Sequence, residues 1–158
     1  MLNAKEAFWL KEQDIVRKNK MPLITFKFNI PTIPKNSPPI SQAFIKALKD
    51  FLQFLGKIND NFTIIEQSEN VLGPYALILI KFNSKLLKKK AIKFENEHKI
   101  GRLFDIDIMD ELGRVLNRTK KRKCFLCDNP AIICMRLNKH SQNEVRSFFD
   151  EKIKSYLE

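Results

Sequence analysis

The segment Gly101-Arg102-Leu103-Phe104-Asp105-Ile106-Asp107-Ile108 constrains this chain more than any other. Apolar residues alternate with two carboxylates, the period-two pattern of a short strand with one face buried. Asp105 and Asp107 then point the same way, with Cα atoms ~7 Å apart. Aspartate is depleted in strands and costly to bury unpaired. Such a pair is compensated by a metal ion or by cationic partners, and carboxylates with water and substrate phosphate suit Mg2+. The competing reading is an edge strand whose polar face meets water, its aspartates paired with nearby lysines.

The remaining apolar patterns give this strand its company. Ala4 to Lys18 reads as a helix, and Leu23 to Ile30 as a half-buried strand opened by Pro22. Pro31, Pro34, Pro38 and Pro39 mark a turn-rich loop. Ser41 to Lys57 has apolar residues at helical spacing and a stop signal at Gly56. Phe62 to Glu66 suits a strand, Gly73-Pro74 a turn, and Tyr75 to Phe82 an apolar strand. Ser84 can cap a helix running to about Glu97. A turn near Gly113, a short strand at Arg114 to Leu116 and an amphipathic helix from Ser141 to Leu157 complete the chain. The order contains a β-α-β-β-α-β core. It predicts an α+β fold: an antiparallel sheet, ferredoxin-like, with helices mainly on one face. One domain is expected over 1–158, divided into a core at 1–120 and a Cys/His loop with its helix at 121–158.

With 44% hydrophobic and 30% charged residues the composition is globular. No apolar run reaches the ~18 residues of a membrane span, and the first twenty residues lack a secretion-signal layout, so a cytoplasmic protein with no membrane partner is expected. A net charge of +11 calls for an anionic partner: nucleic acid, an acidic protein or a polyphosphate. Lys85 to Lys93 and Arg118 to Lys123 place basic blocks on both sides of the aspartate strand, or simply form two solvated surfaces. Only four glycines are present, with no glycine-rich phosphate loop and no Gly-x-Ser-x-Gly elbow, which leaves ATPase and serine-hydrolase readings without support.

Two further constellations carry chemistry. Cys124-x2-Cys127-x6-Cys134, followed by His140, supplies four ligands for a tetrahedral Zn2+ site. Reduced structural thiols and a redox-active Cys124–Cys127 pair are the alternatives. His98 lies three residues after Glu95, on one helix face if the helix persists, and the two could serve as general base and orienter. A histidine that merely caps the helix end is the other reading.

Taken together, several segments resemble the apo-citrate lyase phosphoribosyl-dephospho-CoA transferase family, also called the holo-acyl-carrier-protein synthases of citrate lyase. They are Asn3 to Glu6 with Gln13, Pro22 to Phe26, Pro31 to Ser37, Gly73-Pro74, Glu95 with His98-x2-Gly101 to Asp107, Arg122-x-Cys124-x2-Cys127, Ala131, Cys134-x-Arg136 and His140-Ser141. The similarity spans nearly the whole chain. Lys5 departs from the usual arginine, keeping the charge but losing the guanidinium fork. Thr32-Ile33-Pro34 replaces a Gly-Pro-Ile-like turn.

The resemblance implies that a serine of the citrate lyase acyl-carrier subunit attacks triphosphoribosyl-dephospho-CoA. A phosphodiester forms and pyrophosphate leaves, in a nucleotidyltransferase-like reaction. On that reading Asp105 and Asp107 hold Mg2+ across the triphosphate. Gly101 and Arg102, with Lys93 and Arg114, form the substrate contacts, and His98 and Glu95 are the candidates for the base. The basic surface would then steer an acidic carrier rather than nucleic acid. The equivalent transferase of malonate decarboxylase is the nearest rival. A zinc-stabilised nucleic-acid-binding module is the rival from another class, though lysine outnumbers arginine, which suits docking of point charges more than base readout.

Overall fold

The computed structural model describes residues 2–158; Met1 lies outside them. Among these residues α1 (Leu2–Asn19) leads to β1 (Leu23–Phe28), α2 (Pro38–Ile58), β2 (Phe62–Asn70) and β3 (Gly73–Ile80). Then come α3 (Ser84–Glu97), β4 (Phe104–Met109), α4 (Ala131–Leu137) and α5 (Gln142–Leu157). The sheet order is β2-β3-β1-β4, with every neighbouring pair antiparallel. The crossovers β1-α2-β2 and β3-α3-β4 therefore interlock as a split β-α-β pair, the α+β arrangement that the order of elements predicts.

Alternation along β1 sends its side chains to two cores. Ile24, Phe26 and Phe28 join Phe104, Ile106 and Ile108 beneath α2, α3 and α5. Phe26 is fully buried there, stacked on Phe51 with ring centroids 5.0 Å apart. Truncating such a ring to alanine costs about 3–5 kcal/mol. On the other face Leu23, with Leu77, Leu79 and Met109, receives Val16 of α1. Three helices thus cover one face, and α1 alone covers the other.

Several boundaries differ from the sequence reading, each for a local reason. Helix α2 begins at Pro38, because Pro38 and Pro39 occupy first-turn positions where no N–H is needed. Strand β2 continues to Asn70 although its end is hydrophilic, held by pairing with β3 rather than by its own pattern. Gly73-Pro74 opens β3 and the turn falls on Val71-Leu72, where the Asn70 side chain accepts from the Leu72 N–H at 2.8 Å. Gly73 has φ +105°, a conformation that favours glycine. Asn83, not Ser84, caps α3. Gly101–Leu103 is a 3-10 turn, so the strand starts at Phe104. Residues 114–116 make a single bridge, Val115 to Met109, in place of a strand. Helix α4 lies within what composition reads as loop.

Candidate active site and the cysteine–histidine cluster

Antiparallel register sets Lys27 opposite Asp105 and Thr25 opposite Asp107. All four side chains leave the sheet on the α1 face. Lys27 Nζ lies 3.8 Å from Asp105 Oδ2 and 3.6 Å from Asp107 Oδ2. Lys5, Phe8, Trp9 and Glu12, at i, i+3, i+4 and i+7 on α1, turn towards the same space. They line a cavity of about 410 Å3 over the aspartates, with Asn29 and Lys35 at its side. Glu12 is buried and accepts a hydrogen bond from the Thr25 hydroxyl at 2.5 Å.

Three carboxylates therefore surround one ammonium group. Burial and the neighbouring Asp107 push Asp105 above the usual carboxylate range, against the pull of Lys27. Burial likewise raises Glu12, despite the Thr25 hydrogen bond. Burial opposes the charge on Lys27, but Asp105, Asp107 and Glu12 outweigh it and its pKa is raised. The aspartate side chains remain 39% exposed, so the excess negative charge faces the cavity. β4 is an edge strand and Lys27 is the aspartates' cationic partner, one ammonium group against three carboxylates.

Glu95 and His98 border one cavity at the end of α3 but bond to different partners. Glu95 reaches the free edge of β4, where its Oε1 accepts from the Ile106 N–H at 3.3 Å. Lys88 of the same helix donates to the Ile106 carbonyl at 3.0 Å, so α3 covers both outward backbone groups of that residue. The other Glu95 oxygen pairs with Arg118, with Arg122 at 3.9 Å. His98 sits under the opposite face of the sheet, packed on Phe94, Phe104 and Tyr156. Its Nδ1 accepts from the Ile100 N–H at 3.2 Å, which leaves the proton on Nε2, 2.8 Å from Asp50 Oδ2. Both nitrogens are committed. Asp50 also accepts from the Tyr156 hydroxyl at 2.7 Å, which ties α2 and α5 to the end of α3.

A second cavity, of about 480 Å3, lies between the end of α3 and the basic loop 118–123, lined by Glu95, His98, Gly101, Arg102, Arg118 and Arg122 among others. A Cβ at Gly101 would collide with the Glu95 carbonyl, so only glycine allows the 3-10 turn to close on α3. The Arg102 guanidinium lies 4.6 Å over the Phe125 ring and donates to the Lys123 carbonyl. Its Nε and Nη1 are buried with no partner among the described residues, and burial together with Arg122 lowers its pKa to about 10. Lys93 pairs along α3 with Glu97 at 3.9 Å, and Arg114 donates to Asp110 at 2.8 Å. Neither lines either cavity.

Cys124, Cys127, Cys134 and His140 do converge, each offering a ligand atom within 4.8 Å of all the others, a group that could hold a metal ion. Cys127 Sγ lies 3.4 Å from Cys134 Sγ and 3.4 Å from His140 Nε2. The hydrogen bond from His140 and the Asn129 N–H lower the Cys127 thiol to about 6, whereas burial and Cys127 itself raise Cys134.

Sequence reasoning passed over Glu12, Thr25, Lys27 and Lys35. A signal for two of them was present. Glu12 falls on the stripe that carries Phe8, Ile15 and Val16, and Lys27 is the only charge within β1.

Among the described residues no helix is long and apolar enough to cross a membrane. The family model for apo-citrate lyase phosphoribosyl-dephospho-CoA transferase matches residues 1–156. A protein of Vibrio cholerae named a probable apo-citrate lyase phosphoribosyl-dephospho-CoA transferase is 28% identical over 164 residues, covering 99% of this chain and 90% of its own length. One of the same name from Streptococcus pyogenes is 29% identical, covering 99% and 85%. A Shigella boydii transferase of that name, without the qualifier, is 27% identical, covering 90% and 76%. A match along almost the full length, with an α+β fold beneath it, places this chain in the apo-citrate lyase phosphoribosyl-dephospho-CoA transferase family.

Proposed function

We propose that the cavity over Asp105 and Asp107 transfers the phosphoribosyl-dephospho-CoA group from 2'-(5''-triphosphoribosyl)-3'-dephospho-CoA to a serine of the citrate lyase acyl-carrier subunit. The serine oxygen bonds to the ribose-linked phosphorus, the bond from that phosphorus to the terminal diphosphate breaks, and pyrophosphate leaves. This is a nucleotidyltransferase-type reaction in the cytoplasm. The relatives' names favour the citrate lyase carrier over that of malonate decarboxylase. The observation that carries the reading is the paired aspartates facing one cavity with a surplus of carboxylate.

The donors fit Mg2+, being oxygens with uncompensated negative charge, and Asp105 and Asp107 would hold it. When bound, the ion supplies charge neutralisation across the triphosphate. Lys5, Lys27 and Lys35 bind phosphate oxygens from the cavity wall. Glu12, the buried carboxylate beside the reacting groups, takes the serine proton, held for that role by Thr25. Arg102 acts from its own cavity by shaping the loop beside β4. His98 and Glu95 hold the frame, His98 through Asp50 and Glu95 through Arg118.

The test is to incubate the protein with apo-carrier, the triphosphoribosyl precursor and magnesium, then weigh the carrier by intact mass spectrometry and assay pyrophosphate. Added mass equal to the prosthetic group, with equimolar pyrophosphate and dependence on a divalent cation, is the expected result. Unmodified carrier, or modification without pyrophosphate release, would sink the reading.

A further inference from the structure

The cysteine–histidine cluster takes no part in the transfer described above, and its geometry points to a structural zinc site. We propose that Cys124, Cys127, Cys134 and His140 bind one Zn2+ in a closed tetrahedral Cys3His centre. Its task is to fold the segment between β4 and α5, whose ties to the main core are the half-buried Leu116 and Phe125 and polar contacts such as Arg118 with Glu95.

Burial supplies the first argument. Among the described residues from Glu111 to Phe148, Cys134 alone is buried. Ile132, Ile133, Met135 and Leu137 of α4 all stay exposed. A segment of this length with so little buried apolar surface is short of the main stabilising term of folding, and small units of that kind rely on disulfides or metals. Disulfides are not the answer: the three cysteines are free, and the Cys127 and Cys134 sulfurs lie 3.4 Å apart against ~2.05 Å for a bond.

The second argument is the shape of the cluster. Zinc–sulfur bonds of ~2.3 Å at tetrahedral angles space the donors ~3.8 Å apart. The observed contacts of 3.4 Å and the 4.8 Å limit bracket that value. The backbone is built to deliver the four groups. A turn closed by the Lys123–Pro130 bridge, with the Cys124 N–H donating to the Asn129 carbonyl at 2.7 Å, presents Cys124 and Cys127. Helix α4 presents Cys134, and Asn138 in the left-handed conformation (φ 47°) turns the chain back to bring in His140.

The surroundings complete the case. His140 aims Nε2 at the sulfurs, while its Nδ1 lies 4.0 Å from Glu144 Oε2, the outer carboxylate that commonly orients a metal-bound imidazole. Three thiolates and one divalent cation leave a net negative charge. Two cations stand ready to offset it: Lys139 Nζ, 3.8 Å from Cys127 Sγ, and the Arg102 guanidinium beside Cys124, with two buried donors that have no other partner among the described residues. With four protein ligands the ion keeps no open position, so it braces the basic loop without joining the chemistry. Binding releases the thiol protons to solvent.

The experiment uses the full chain without a histidine tag, purified under reducing conditions. Elemental analysis should find one zinc per chain. Cobalt substitution should add thiolate-to-cobalt charge-transfer absorption. Cys134→Ser should lose the bound zinc, while Asp105→Ala keeps it, separating this centre from the catalytic cavity. Should Cys134→Ser fail to fold, wild-type protein still decides: a mercurial thiol reagent must release one zinc as three thiols react. Three freely titratable thiols with no zinc released would overturn the proposal in favour of plain packing. An intact mass two hydrogens light, with two thiols missing, would overturn it in favour of a redox pair.

Discussion

The aspartate cavity and the cysteine–histidine segment hold their polar groups by opposite means. Asp105 and Asp107 stand on a strand whose other face, Phe104, Ile106 and Ile108, is locked into the main core. The sheet is rigid whatever those carboxylates do, so it can carry repelling charges in a cavity. Segment 111–148 has the reverse economy, with one buried residue and its polar groups drawn together. In one region the fold makes the site; in the other we propose that the site makes the fold. Mutations should therefore separate activity from stability in the first and couple them in the second.

Asp105→Ala and Asp107→Ala give the sharpest contrast. Each should lower the rate of carrier loading by about a hundred- to a thousandfold, the scale of losing a principal charge-stabilising group. Neither should lower the melting temperature. Asp105 has a folded pKa raised above its unfolded value, so the stability of its neutral form is lost as pH rises through the folded pKa. At neutral pH its removal relieves repulsion. A melting temperature several degrees below wild type in either variant would break the comparison, because the cavity would then be part of what holds the sheet.

Chelation is the matching perturbation of the other region. Stripping the proposed zinc should abolish amide protection through residues 118–140, while β1 and β3, buried on both faces, keep theirs. Hydrogen exchange followed by mass spectrometry reads both at once. Carrier loading should fall with it, since the basic loop and Arg102 lose their backing. Equal protection in that segment before and after chelation would show that it stands without metal.

Glu12→Gln comes next, at about a hundredfold in rate. A base must be deprotonated, so activity in the native protein rises with pH through the raised pKa of Glu12; the variant should lose that acidic limb. Gln can still accept from Thr25, and it removes a buried charge. Its melting temperature at neutral pH should match or exceed wild type. An unchanged pH–rate profile would take the base role from Glu12.

What the sequence made legible follows from the range of the forces involved. Alternation at Phe104 to Ile108 is a local signal, and the strand, its paired aspartates and the split β-α-β order could all be read from patterns of that kind. The convergence of Cys124, Cys127, Cys134 and His140 was legible because their spacing is short. Lys27 and Glu12 were not, because each joins the aspartates only through register: Lys27 through β1 pairing with β4, Glu12 through α1 lying across the sheet. Helix α4 was invisible because Ile132, Ile133, Met135 and Leu137 do not leave a polar face, and a short helix needs anchoring from outside itself. Glu95 and His98 show the limit of helical spacing. Three residues apart, they diverge because α3 ends at Glu97 and His98 takes extended backbone as the cap, which turns its ring away to Asp50.

His98→Gln is the smallest of these effects and tests that divergence directly. In the structure the histidine links three elements: it caps α3, accepts from the Ile100 N–H and bonds to Asp50, which also takes the Tyr156 hydroxyl. Loss of such hydrogen bonds costs about 1 kcal/mol each. The variant should therefore melt a few degrees lower, with the loss shared by Asp50→Asn and not added to it, since both break one network. Because His98 lies under the core face of the sheet and the aspartates open on the other, the pH–rate profile of carrier loading should keep its shape. A profile that loses a limb near neutral pH in His98→Gln, with stability unchanged, would return the histidine to the reaction and move the working cavity to the α3 side of β4.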